Sequence, residues 1–118
     1  MSHPLTDYYE EERPWGSFER FILNEPCSVK FLNVAPGKRF SLQTHAKREE
    51  FWRCIKGSGT ATIGSEEIPM EVGSEVLAKV GEPHRLTGGP DGITVLEISI
   101  GEFDENDIVR IEDDFGRS

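Results

Sequence analysis

The chain has 118 residues, 36% of them hydrophobic and 30% charged, and carries a formal net charge of −9. That length fits one domain with one core and leaves no room for a second lobe, and the acidic balance argues against nucleic acid, whose binding needs Lys and Arg to neutralise phosphates. No apolar run approaches the roughly 20 residues that cross a bilayer, and the opening Met-Ser-His-Pro-Leu-Thr-Asp lacks the basic and apolar regions of a signal peptide, so no membrane partner is expected and the expected location is the cytoplasm.

Charge is unevenly placed. Acidic residues crowd 7–12 and 102–114, while basic residues cluster between Lys38 and Lys56. A basic patch on an acidic chain fits a small anionic ligand, because a cleft of one sign focuses its own field; a solvated, salt-bridged face is the alternative. The two cysteines, Cys27 and Cys54, have neither zinc nor redox spacing and read as small buried residues.

In chain order, residues 1–12 read as a flexible acidic leader and 13–118 as a single domain. Short apolar or alternating runs follow at 18–23, 28–34, 39–44, 50–55, 60–63, 67–72, 76–78, 84–87 and 93–100. Turn signals separate them, among them Asn24-Glu25-Pro26, Ala35-Pro36-Gly37, Gly57-Ser58-Gly59 and the Gly-Gly-Pro-Asp-Gly of 88–92. Many short strands with Gly and Pro punctuation, and no long helical period, indicate an all-β sandwich or barrel. Residues 105–109 allow a short helical turn. Residues 93–100, rich in Ile, Thr and Val, are the strongest strand.

Strand alternation then places the chemistry. Arg39, Ser41, Gln43 and His45 share one face, and Glu50, Trp52 and Cys54 share a face of the next strand. Glu97 shares parity with Val95 and Ser99. If these faces point into a barrel, Gln43, His45 and Glu50 converge, and His84 can join them from the strand after Pro83. The chain has three histidines; His3 lies in the leader and the other two fall in this pattern. Two imidazoles, a carboxylate and an amide oxygen suit one divalent metal ion, zinc first, with manganese, cobalt, nickel or iron as alternatives. One carboxylate leaves the ion with a net charge of about +1, which favours Lewis-acid work on an anionic substrate. Trp15 and Trp52 read as packing residues rather than sugar-stacking platforms.

The spacing of Gly37, Gln43, His45, Glu50 and Gly57 resembles the first motif of the cupin superfamily, with Gln in place of its first His. Gly73, Gly81 and His84 fit the second, where Lys79 replaces a Pro and Gly88 an Asn. The resemblance implies a cupin-type double-stranded β-helix, a jelly-roll barrel, with Gln43, His45, Glu50 and His84 as metal ligands. Further motifs narrow it: Arg13-Pro-Trp-Gly-Ser-Phe18, Ser41-Leu-Gln43, Glu50-Phe-Trp52, Pro83-His84-Arg85-Leu86 and the run from Asp107 to Arg117. In this order they resemble the type II mannose-6-phosphate isomerase domain, the C-terminal part of bifunctional mannose-1-phosphate guanylyltransferase/mannose-6-phosphate isomerases. The nucleotidyltransferase half has no counterpart here, so guanylyl transfer is not implied. The chain departs from the family at Ala46, Lys47 and Phe51, where histidines are common.

The resemblance implies interconversion of mannose 6-phosphate and fructose 6-phosphate, or a close sugar phosphate, through an enediolate. Glu97 is the first candidate for the base that carries the proton, ahead of Glu49, whose parity opposes Glu50. The phosphate needs Arg or Lys; Arg13, Arg48, Arg85 and Arg110 stand in motif positions, and Lys47 and Lys79 stand beside the site. The alternatives are a non-catalytic metal-containing cupin that binds a sugar, and another cupin enzyme such as a dioxygenase. Exposed sheet edges must be covered or blunted, and residues 13–23 could pair with a partner's sheet, so a homodimer is expected.

Overall fold

Two long antiparallel strands carry the architecture of the computed structural model, which describes residues 3–117. In chain order the strands are β1 (Tyr9–Arg13), β2 (Gly16–Arg20), β3 (Cys27–Val34), β4 (Leu42–Thr44), β5 (Arg48–Ile63), β6 (Glu66–Met70), β7 (Glu75–Ala78), β8 (His84–Gly101) and β9 (Val109–Glu112). Among the described residues there is no α-helix. β5 and β8 pair from Arg48 against Gly101 to Ile63 against His84. β3 and β4 add to the other side of β8, and β9 adds to β4. β7 and β6 add to the first and second halves of β5.

β5 and β8 each join runs that the sequence separates. The glycines between those runs do not open loops. Ladder pairing continues past them, with Gly57 opposite Ile93 and Gly59 opposite Gly88, and register shifts at Cys54/Lys56 and Gly57/Gly59. A Cβ on Gly57 would lie 2.2 Å from the Gly92 carbonyl oxygen, and one on Gly59 would lie 2.1 Å from that of Thr87. The glycines are there so that two bent backbones can cross in contact.

Both faces of this strand pair are buried. The inner face carries Trp52, Cys54, Leu86 and Val95 in the main core, with Met70, Val76 and Ala78. The outer face carries Phe51, Ile98 and Ile100, covered by Leu5 with Tyr8, Phe21 and Ile22 packed against it. The N-terminal segment is therefore part of the fold, not a flexible leader: Leu5 is buried and Tyr9 begins a strand. Met1 and Ser2 of that segment, and Ser118 at the other end, lie outside the described residues.

Three further expectations change. Residues 105–109 form a turn leading into β9 rather than a helical turn. The run 39–44 is a strand only at Leu42–Thr44, with Arg39 making a lone bridge to Thr87. Cys54 is buried but Cys27 is exposed, and both are free thiols. β1 and β2 pair only with each other among the described strands. They form a hairpin with Trp15 at its turn, 71% exposed.

Candidate metal centre

Ser41, His45, Glu50, His84, Glu97 and Ser99 are all buried in the interior beside Trp52. Strand parity explains this within β5 and β8, where Glu50 shares a face with Trp52 and Cys54, His84 with Leu86, and Glu97 and Ser99 with Val95, while Ser41 and His45 flank β4. His45 sits just after β4, Glu50 in the first half of β5, and His84 at the head of β8, directly opposite Gln43 of β4. One ligand atom from each of His45, Glu50 and His84 lies within 4.8 Å of the others.

The hydrogen bonds fix which atoms face one another. His45 Nδ1 lies 2.6 Å from the Asp107 carbonyl oxygen, and His84 Nδ1 lies 2.9 Å from that of Glu82. A carbonyl only accepts, so both Nδ1 atoms carry the proton and donate. Each Nε2 then presents a lone pair. Those lone pairs meet a carboxylate: Nε2 of His45 is 3.3 Å from Glu50 Oε2, and Nε2 of His84 is 3.1 Å from Glu50 Oε1. Arg48 donates to Glu50 Oε2 at 3.1 Å and to His45 Nε2 at 3.3 Å. On the other side, His84 Nε2 is buried without a hydrogen bond. Arg48 partners one Glu50 oxygen and His45 Nε2 but leaves His84 Nε2 without a donor, so the three converging acceptors can take a further cation. That arrangement fits a divalent ion, held by Nε2, Nε2 and carboxylate oxygen, with carbonyls behind the imidazoles fixing their tautomers.

Gln43 is the fourth expected donor. Its Nε2 lies 3.3 Å from His45 Nε2, and its Oε1 accepts from Ser41 Oγ at 2.6 Å. The amide is thus beside the cluster. Turned over, it would offer its oxygen inward and donate to the same hydroxyl, which can also accept.

Burial would raise the Glu50 carboxyl; when His45 and His84 also carry a proton on Nε2, as imidazolium ions, their charge and hydrogen bonds outweigh burial and hold the group well below the ordinary range. Glu97 behaves oppositely. Burial first, and then the Glu50 charge, raise its carboxyl above the ordinary value, against hydrogen bonds from Trp52 Nε1 at 3.0 Å and Ser99 Oγ at 3.2 Å. Two carboxylates in one interior are thereby pushed apart in proton affinity.

A cavity of about 570 Å³ opens onto the cluster, lined by Lys30, Gln43, His45, Arg48, Phe103, Glu105, Asn106, Ile108 and Arg110. Of the expected phosphate-binding residues, Arg48 and Arg110 are here and the others are not. Arg13 sits in the β1–β2 hairpin, paired with Glu11. Arg85 is buried against the Phe40 carbonyl and Glu112. Lys47 faces Glu102 at 3.5 Å. Lys79 lines a separate cavity with Leu5 and Glu49. The family departures are also explained. Phe51 is fully buried in the outer core and packs against Phe21 with tilted rings, so a residue at that position points away from the donors. The main-chain N–H groups of Ala46 and Lys47 donate to the Asp107 carboxylate at 2.8 and 2.9 Å.

Sequence reasoning missed Lys30, Phe103 and Asp107. Asp107 stood in a quoted motif and so had a signal. Lys30 lies opposite Glu97 in the β3–β8 register, a pairing that only the folded chain reveals.

Comparison with known proteins agrees with this geometry. The chain is 33% identical over 108 residues to the xanthan biosynthesis protein XanB of Xanthomonas campestris pv. campestris, covering 90% of this chain and 23% of that protein. It is 33% identical over 107 residues to a mannose-1-phosphate guanylyltransferase of Klebsiella pneumoniae, covering 89% of this chain and 23% of that protein. The chain thus spans about a quarter of the length of these curated relatives. Among solved structures, an uncharacterized conserved protein with a double-stranded β-helix domain from Klebsiella pneumoniae superposes with a TM-score of 0.64 at 18% identity, covering 76% of this chain and 77% of that one. The fold is that of a cupin-type double-stranded β-helix. Residues 3–113 match the family described as mannose-6-phosphate isomerase C-terminal, and the chain belongs to that family.

Proposed function

We propose that this domain is a metal-dependent aldose–ketose isomerase that interconverts mannose 6-phosphate and fructose 6-phosphate, in the cytoplasm, as a homodimer, with zinc as its ion. The observation that carries the reading is the convergence of His45, Glu50 and His84 beneath a cavity whose walls hold Lys30, Arg48 and Arg110. Membership of the family described as mannose-6-phosphate isomerase C-terminal supports it, and the relatives' names concern mannose 1-phosphate or xanthan biosynthesis. The bound ion would supply Lewis-acid polarisation of the neighbouring sugar oxygens.

The chain's own residues supply the rest. Glu97 carries the proton between adjacent carbons; burial and the Glu50 charge raise its proton affinity above that of an ordinary carboxylate. Trp52 and Ser99 hold its two oxygens in place. Arg48 orients Glu50 and spans to the Asp104 carbonyl at 3.2 Å, tying the loop after β8 to the donor cluster.

A coupled assay on metal-replete and chelator-treated protein tests this: turnover of mannose 6-phosphate is expected only with metal. Tight binding without turnover would replace the isomerase with a non-catalytic sugar-binding cupin, and an obligatory iron with oxygen consumption would replace it with a dioxygenase. His84→Ala should lose stoichiometric metal by elemental analysis; full retention would overturn the ligand assignment.

A further inference from the structure

Two cations share one aromatic ring at the mouth of the site. Arg48 Cζ lies 4.5 Å from the centre of the Phe103 ring, and Lys30 Nζ lies 5.2 Å from it. Their situations differ. Arg48 is 6% exposed, and its guanidinium is spent on Glu50, His45 and the Asp104 carbonyl. It is a brace for the donor cluster. The Lys30 side chain is 49% exposed, and its nearest carboxylate oxygen, on Glu97, is 3.6 Å away. The two groups form an ion pair without a hydrogen bond, so the ammonium still has N–H donors to offer a visitor. It also lines the cavity that Gln43 and His45 line.

We propose that Lys30 is the anion anchor of this site: it takes the phosphate of the sugar phosphate beside Phe103 and so sets the sugar's other end over His45 and the ligand cluster. This rests on the isomerase reading for the identity of the sugar, but not for the anion. Lys30 would touch the phosphate, so its loss should weaken the binding of phosphate-bearing ligands.

The test is calorimetric titration of metal-loaded wild type, Lys30→Met and Lys30→Arg with mannose 6-phosphate, inorganic phosphate and mannose. Methionine keeps the apolar stem beside Phe103 and removes the charge. Lys30→Met should bind mannose 6-phosphate and phosphate about 10- to 100-fold more weakly, the loss of a charge-assisted hydrogen bond, with its affinity for mannose unchanged. Lys30→Arg should recover most of the loss. In the isomerase assay KM should rise by the same factor. Metal content equal to wild type confirms that the variant is folded. Equal affinity of wild type and Lys30→Met for mannose 6-phosphate would overturn the anchor, as would a wild-type protein that binds neither phosphate ligand. Wild type that binds mannose 6-phosphate in a Lys30-dependent way without converting it would overturn the isomerase reading and leave the anchor standing.

Discussion

His45 shows how much of the site rests on groups that are not ligands. Its Nε2 is presented because the Asp107 carbonyl holds Nδ1, and the Asp107 carboxylate in turn grips the two peptide N–H groups that follow His45. Those peptide contacts, Ala46 first, pull the Asp107 carboxyl below its ordinary range. Asp107→Ala should therefore weaken metal affinity about 10- to 100-fold, in the range of an outer-shell partner, measured by competition with a chelator; an unchanged affinity would mean that the main chain alone positions His45. Glu97 permits a second test. Its folded pKa is raised, so the folded chain holds this proton more tightly than the unfolded chain does. The resulting stability is complete below the ordinary glutamate range, about 4.3, and is lost as pH rises through the folded value. Glu97→Gln cannot ionise. In chelator it should melt above wild type at pH 8, with the gap closing as pH falls towards 4. A gap that widens with acid would show that Glu97 is stabilised as an anion.

At the scale of elements, β5 and β8 decide where the donors meet. Each spans two runs that Gly and Pro punctuation divides in the sequence, because a glycine that opens a loop and one that lets two strands cross look alike in one dimension. Gly57 and Gly59 are of the second kind. Gly57→Ala drives a methyl group into the Gly92 carbonyl and also meets a φ of 73°. It should cost at least about 2 kcal/mol of unfolding free energy, from overpacking together with backbone strain. Gly37→Ala meets a similar φ of 69° with no atom within 4 Å of the new Cβ. It should cost about 1 kcal/mol, the left-handed penalty alone. Urea unfolding of the two variants separates crossing from conformation, and equal losses would show that the close approach is unimportant. Parity was legible within each strand: Gln43 with His45, Glu50 with Trp52, and Glu97 with Ser99. Which face was interior was not, since Phe51, Ile98 and Ile100 give the opposite face a hydrophobic pattern of its own.

The whole molecule measures 52 × 32 × 24 Å, and the β1–β2 hairpin forms a sheet separate from the barrel strands. A two-stranded hairpin alone in water is marginal. Its base is tied down by Arg20 on the Asp7 carbonyl and by Glu19 on Arg53 at 2.9 Å, but Trp15 at the turn is exposed. A second copy of the chain is the occupant that the homodimer reading assigns to this surface. Light scattering should then find a dimer, and Trp15→Ala should weaken it about 30-fold, the cost of a central aromatic contact; a wild-type protein that stays monomeric at high concentration would end that reading. The sequence by itself determined the β class, the donors at cupin spacing and the family resemblance, because alternation and local spacing are properties of the chain in order. Tertiary structure alone decided which cations face the site. Arg13, Arg85, Lys47 and Lys79 are near it in sequence or motif yet turn elsewhere, while Lys30 arrives through the β3–β8 register from a strand with no chemical signature. Charge carries no periodicity that says where it will point, and cross-strand partners are set only when the sheet closes.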